Sequence, residues 1–329
     1  MPRATAYRPR PLRSAAVGAL ALALLAGATG AAASEPRPEP VRPAADDGWS
    51  AARAAAYWTP QRMAAAQPVD GPPAPRSQEA AAPAAGTAGA PGVGRDFGGL
   101  PQIGRMYLMR GTGAYFCTAS VIASPRRSLV LTAGHCLDGG SRDQQLAFVP
   151  QYTQARPQPH GVFPVLRSGG ANRIWIDPRY RSLGHDRAAG LDVAFVEVAR
   201  NAAGRRVQDA VGADRLLLHP GYAHKSVRLI GHPGNKPVPR TCTNATSRFT
   251  STDRGIPGSF LRIDCTGYPG GTSGGPFLAH YDPATRTGDV IGIIGGYKTG
   301  GTSPDTSFSP YFGQDIARLF ALATAPVRS

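Results

Sequence analysis

From residue 97 onward the apolar positions come in short clusters bounded by Gly, Pro, Asn or Asp. Residues 119–123 and 129–132 are two such clusters, rich in aliphatic side chains, on either side of the turn-like Ser124-Pro125-Arg126-Arg127. Further strand candidates are residues 145–149, 173–176, 193–198, 226–230, 260–264, 275–279 and 290–294. One segment departs from this pattern. Residues 314–323 place Ile316, Leu319 and Phe320 at helical spacing, which predicts a C-terminal helix. Many short strands and one terminal helix predict an all-β barrel or sandwich.

The first 96 residues follow other rules. Residues 1–33 carry four Arg and no acidic residue, then an apolar run at 15–26, then small residues ending in Ala31-Ala32-Ala33. This is the order of a secretory signal peptide. The apolar run is well short of the roughly 20 residues that span a bilayer, so export without membrane retention is expected. Residues 34–96 hold 18 Ala and 11 Pro and read as a disordered pro-segment or linker. Within it, residues 49–63 contain Trp49, Tyr57, Trp58 and Met63, enough apolar surface for a short helix or a docking motif. The expected organisation is therefore a signal at 1–33, a pro-segment at 34–96 and a folded domain at 97–329.

Composition sharpens the picture at three points. Gly 41 and Pro 32 together make about a fifth of 329 residues, which disfavours helical bundles and suits strands joined by turns. The net charge of +15 comes from 33 Arg and only 3 Lys. A basic surface attracts polyanions, so association with cell walls or other polyanions is expected, but no nucleic-acid recognition motif accompanies it. The four cysteines, Cys117, Cys136, Cys242 and Cys265, suit two disulfides in an exported chain. Three connectivities are open, and the sequential one closes two loops of about 20 residues. Paired C-x2-C spacings for zinc are absent, and neither metal nor cofactor is expected.

Three motifs carry chemistry. Leu131-Thr132-Ala133-Gly134-His135-Cys136 puts a His at the end of an apolar strand beside a candidate disulfide. Leu191-Asp192-Val193-Ala194-Phe195 opens another apolar strand with an Asp. Gly270-Gly271-Thr272-Ser273-Gly274-Gly275-Pro276 surrounds a Ser with glycines, which allow tight backbone angles and let neighbouring N–H groups converge. Acyl transfer asks for such a set. A Ser hydroxyl needs a neutral imidazole to take its proton, a carboxylate to hold that imidazole, and backbone N–H donors for the oxyanion. The roles fall to Ser273, His135 and Asp192, with the amides of Gly271 and Ser273 as the oxyanion hole. Asp186 and Asp177 are the fallback carboxylates. His160, His185, His219, His224, His232 and His280 read as surface or loop residues.

On these motifs the chain resembles the chymotrypsin-fold, trypsin-like serine peptidases secreted by bacteria, in the order His, Asp, Ser. Ile103-Gly104-Arg105-Met106-Tyr107 and Tyr115-Phe116-Cys117-Thr118-Ala119-Ser120 are similar to the strands that lead to the His in that family. Tyr57-Trp58-Thr59-Pro60 resembles actinobacterial pro-regions. The resemblance implies two six-stranded antiparallel β-barrels with the site in the cleft between them, and a monomeric endopeptidase acting on polypeptides through an acyl-enzyme. Three departures matter. Thr272 stands where animal trypsins have the Asp that receives the new N-terminus, so Arg95-Asp96-Phe97-Gly98-Gly99 resembles an activation junction without its ion-pair partner. Maturation is therefore expected to relieve blockage by the pro-segment. Gly267 replaces the acidic pocket floor of trypsins, and Ile294 aligns near the pocket His of glutamyl endopeptidases, which the chain also resembles. Lys298 and Arg262 are candidate pocket-lining residues.

Two other readings compete. Gly271-Thr272-Ser273-Gly274-Gly275 fits the α/β-hydrolase elbow, but that fold needs its Asp and His after the Ser, and His280 is too near. The other is a catalytically inactive peptidase-like module that binds walls or proteins through its basic surface.

Overall fold

The computed structural model describes residues 48–71, 90–234 and 236–326. The expected signal at 1–33 lies outside the described residues, as do 34–47 and 72–89 of the expected pro-segment.

Among the described residues, twelve strands of three or more residues form two curled antiparallel sheets, six in each. The first sheet comprises β1 (Ile103–Arg110), β2 (Gly113–Ile122), β3 (Leu129–Thr132), β4 (Asp143–Pro150), β5 (Ile174–Ile176) and β6 (Ala194–Glu197). Their spatial order is β5-β6-β3-β2-β1-β4, with Phe163–Pro164 beyond β4. The second sheet comprises β7 (His224–Gly231), β8 (Arg240–Thr250), β9 (Ser259–Asp264), β10 (Pro276–Asp282), β11 (Thr287–Ile293) and β12 (Thr306–Pro310). Their order is β11-β10-β7-β8-β9-β12, with Arg215–Leu216 beyond β11. This is the chymotrypsin-like architecture expected from the sequence, and it leaves no place for the parallel sheet of an α/β-hydrolase.

The apolar clusters become strands because their side chains fill the two sheet interiors. Leu131, Phe148, Phe195 and Val196 lie in the first core, and Leu229, Leu261, Phe277 and Ile291 in the second. Burying each such side chain contributes about 1.5–3 kcal/mol. The C-terminal helix, Gln314–Thr324, packs Ile316, Leu319 and Ala323 against the first core, as its spacing predicts. Two disulfides, Cys117–Cys136 and Cys242–Cys265, adopt the sequential pairing.

Within the pro-segment, otherwise expected to be disordered, residues 49–63 form the short helical docking motif that their aromatic side chains suggested, and the ordered chain continues to residue 71. Helix α1 (Ala51–Tyr57) is capped by Ser50, and α2 (Pro60–Ala65) by Thr59 with Pro60 in its first turn. Trp58 and Met63 are fully buried against Tyr107, Phe116, Val149 and Tyr152 on the outer face of the first sheet. The indole N–H of Trp58 donates to the Gln145 carbonyl (2.7 Å), and that of Trp49 to the Leu146 carbonyl (2.9 Å). A low-complexity stretch cannot build a core of its own, but a few aromatic side chains suffice to dock it on an existing one. Closer to the domain, Arg95–Asp96 pairs with β8 and Asp96 bonds Arg240, so this junction-like motif is sewn into the second sheet. Among the described residues no helix is long and apolar enough to cross a membrane.

Candidate active site

The site lies where the two sheets meet. β3 pairs with β6 so that Thr132 faces Ala194. Continuing that register past both strand ends brings Asp192 alongside the loop that carries His135. The close approach needs Gly134, where a Cβ would stand 3.1 Å from the Asp192 carboxylate. Asp192 Oδ1 accepts from the His135 backbone N–H (2.8 Å), and Oδ2 pairs with His135 Nδ1 (2.8 Å). A third donor arrives from the second sheet, the Gly296 N–H at 2.7 Å from Oδ2. Burial alone would raise the Asp192 pKa, but the His135 charge and these hydrogen bonds hold it below the usual carboxylate value.

Ser273 sits in a turn leading into β10. Gly274 holds φ at +80°, and a Cβ there would lie 2.2 Å from both the Thr118 carbonyl and the Thr132 hydroxyl. The Gly274 N–H donates to the Ile294 carbonyl (2.8 Å). Thr118 braces the turn from the first sheet. Its N–H donates to the carbonyls of Ser273 (2.9 Å) and Gly271 (3.1 Å), and its hydroxyl donates to the Gly271 carbonyl (2.9 Å). The Gly271 carbonyl is thereby tied to the first sheet, while the Gly270 carbonyl, on the same peptide as the Gly271 N–H, accepts from the Gly234 N–H (2.8 Å) and so orients that N–H. Sequence reasoning missed Thr118. Its position directly after Cys117 was the available signal.

The remaining functional groups are placed as follows. The disulfide Cys117–Cys136 ties β2 to the residue after His135. Both sulfurs are committed to that bond, so their nearness to His135 provides no thiolate for a metal. Asp177 caps a short helix, Pro178–Leu183, and pairs with Arg179, and Asp186 is exposed, so neither fallback carboxylate reaches His135. His185 pairs with Asp138, and His280 with Asp289. His232, expected in a surface or loop position, lies in the loop after β7 but is fully buried, and burial lowers its pKa so that the ring stays neutral. Ile294 is buried in the second core. Lys298 lies over the Tyr297 ring, and Arg262 pairs with Asp264. The Arg240 guanidinium stands behind Gly267 and bonds the Thr266 and Gly94 carbonyls.

A residue from outside the expected set completes the site. Asp70, in the docked segment, reaches both His135 and Ser273. Its Oδ2 accepts from the Ser273 hydroxyl (2.7 Å) and lies 3.5 Å from the Gly271 amide nitrogen. Its Oδ1 stands 2.9 Å from His135 Nε2, an ion-pair contact whose angle falls short of a hydrogen bond. Burial alone would lower the His135 pKa, but the charges of Asp192 and Asp70 outweigh it and raise the value well above 6.5.

The model of the trypsin-like peptidase domain matches residues 117–293, more than half of the chain. The chain belongs to the trypsin-like peptidase family. Its domain is similar in fold to the protease Anisep from Arthrobacter nicotinovorans, with a TM-score of 0.58 and 22% identity over 71% of this chain and 100% of that one. It is similar to a thermostable serine protease, AL20, from an extremophilic microorganism (TM-score 0.55, 24% identity, 68% of this chain and 97% of that one). It is also similar to a Glu endopeptidase (TM-score 0.51, 16% identity, 72% and 99%). No curated protein matches the chain. The trypsin-like domain is thus a serine protease by family, and polypeptides are its substrate class.

Proposed function

We propose that the chain is a secreted serine endopeptidase working through an acyl-enzyme, with residues 1–33 as export signal, 34–96 as pro-segment and 97–329 as the catalytic domain. Ser273 attacks the carbonyl and its proton passes to His135 Nε2. Asp192 keeps the Nδ1 proton in place and offsets the charge on the imidazolium. The amides of Gly271 and Ser273 receive the oxyanion, the largest electrostatic contribution in such reactions. His135 then protonates the leaving amine, and water repeats the sequence on the ester.

The observation that carries this reading is one carboxylate gripped by three groups. Ser273 Oγ, His135 Nε2 and the Gly271 amide all lie within 3.5 Å of the two Asp70 oxygens. These are the groups that a reacting carbonyl carbon and its oxygen would meet. Material recovered from the culture medium is expected to label with a fluorophosphonate probe. Ser273→Ala should abolish labelling, and His135→Ala should lower its rate by roughly 1,000-fold or more. Labelling that stays absent after proteolytic removal of the pro-segment, or is equal in the wild type and Ser273→Ala, excludes the peptidase and leaves the inactive binding module.

A further inference from the structure

We propose that Asp70 is a built-in inhibitor: its carboxylate occupies the place of the scissile carbonyl, between Ser273, His135 and the Gly271 amide, and keeps the full chain latent. This rests on the reading of His135, Asp192 and Ser273 as the catalytic set.

Three features make the contact a built one. The first is its anchor. Trp58 and Met63 are buried in the same cluster as Tyr107 and Phe116, and the Gln158 side chain donates to the Trp58 carbonyl (2.8 Å). The second is the strand that follows. Gln67–Pro68 pairs in parallel with Tyr115–Phe116 of β2, and the Val69 N–H donates to the Phe116 carbonyl (3.1 Å). Phe116 therefore belongs to the anchor through its ring and to the strand through its backbone, which fixes the distance from anchor to catalytic centre. The third is the turn at the tip. The Gly71 N–H donates to the Pro68 carbonyl (3.1 Å), turning the chain so that the side chain between them points at Ser273. Gly234 and Gly270 leave room for this turn: a Cβ on Gly234 would lie 2.3 Å from the Pro68 ring, and one on Gly270 would lie 2.8 Å from the Gly71 carbonyl.

A carboxylate suits the position because its oxygens accept from two donors, the Ser273 hydroxyl and the Gly271 amide, and its negative charge is the one that this amide and a protonated His135 are arranged to meet. It is not consumed there. A carboxylate is a poor electrophile and carries no amine to expel, so Ser273 can bond to it but not acylate from it. The Ser273 proton is directed to Asp70, which withdraws the hydroxyl from its base. Inhibition thus needs no deformation of the catalytic groups. Thr118 braces the Gly271 peptide and Asp192 holds His135 with Asp70 in place.

The test compares the full chain with Asp70→Asn and Trp58→Ala. It reads the rate of fluorophosphonate labelling and, by NMR, the titration of the His135 ring. Asp70→Asn keeps the shape and removes the charge. Losing a charged hydrogen-bond partner should speed labelling roughly 10- to 100-fold. It should also move the His135 pKa down, whether or not the protein is an active peptidase. Trp58→Ala, which removes the anchor and leaves Asp70 intact, should move both readouts in the same direction. Wild-type labelling as fast as that of Asp70→Asn, or an unchanged His135 titration in Asp70→Asn, overturns the proposal. Labelling absent from all three proteins, with the His135 shift present, supports the Asp70 contact and refutes the peptidase reading.

Discussion

Asp192 is fully buried and accepts from three donors, two on His135 and one on Gly296, and that number explains why it stays ionised where burial would favour the neutral acid. His135 is then held between two carboxylates, and its pH response follows from the pair. Asp192 and Asp70 face the ring directly. The Tyr180 hydroxyl stands behind Asp192, and Asp138 further out is paired with Arg110 and His185. In the latched state the His135 pKa is raised and that of Asp70 is lowered, the latter because His135 and its hydrogen bonds outweigh burial. The His135 contribution to latching is complete below its unlatched pKa and is lost as pH rises through the raised one. The Asp70 contribution is lost only as pH falls through its depressed value. Latency should therefore hold at neutral and mildly acid pH and weaken in alkali. Labelling rates of the full chain measured between about pH 5 and 10 should rise more steeply than those of Asp70→Asn, which follow only the ordinary ionisation of the base.

The strands place these residues, and they were not equally legible. Residues 129–132 and 193–198 announce themselves by consecutive apolar side chains, and both are central in the first sheet, covered on two faces. β8 gave no such signal. Arg240–Thr250 is mostly Thr, Ser, Asn and Arg, and only Cys242 and Thr246 are buried along it, so its pairing with β7 and β9 rests on the sheet around it. β12 was missed for a related reason, since Ser and Pro alternate with its one aromatic, Phe308. His135 and Ser273 were legible because their chemistry sits in a contiguous motif. Asp70 was not, because Val69-Asp70-Gly71 reads as an ordinary turn until β2 and the Trp58 anchor fix where that turn points. The disulfides belong to this scale too. Cys117–Cys136 closes a short loop around His135, so replacing both cysteines with Ser should cost about 3 kcal/mol. It should also slow labelling at Ser273 by loosening the His loop, whereas the same change at Cys242 and Cys265 should lower the melting temperature with less effect on labelling. Thermal melts and probe kinetics on the two double variants check this.

In the molecule as a whole the two sheets are joined by more than the cleft. Gln102, ahead of β1, donates to Asp214, which also accepts from Gly288 in the second sheet and bridges Ile122 in the first. Asp214 is fully buried with one oxygen unpartnered, and burial pushes its pKa up to about 7. A raised carboxyl pKa means stability that is present below its unfolded value and lost as pH rises through the folded one. Asp214→Asn should thus melt like the wild type near pH 4 and be more stable by roughly 2–4 kcal/mol above pH 7, as melts across that range would show. The positive charge of the chain also acts at this scale, as a field that favours anionic surroundings and weakens with salt. Asp70 sits at the catalytic centre, and the same chain re-enters the second sheet at Gly92, beside Cys265. While that connection is intact, the contact between the carboxylate and Ser273 is intramolecular, and dilution leaves its occupancy unchanged. Once the connection is severed, the same contact becomes bimolecular and its occupancy falls with volume. A severed molecule would keep its latency in concentrated solution and lose it on dilution.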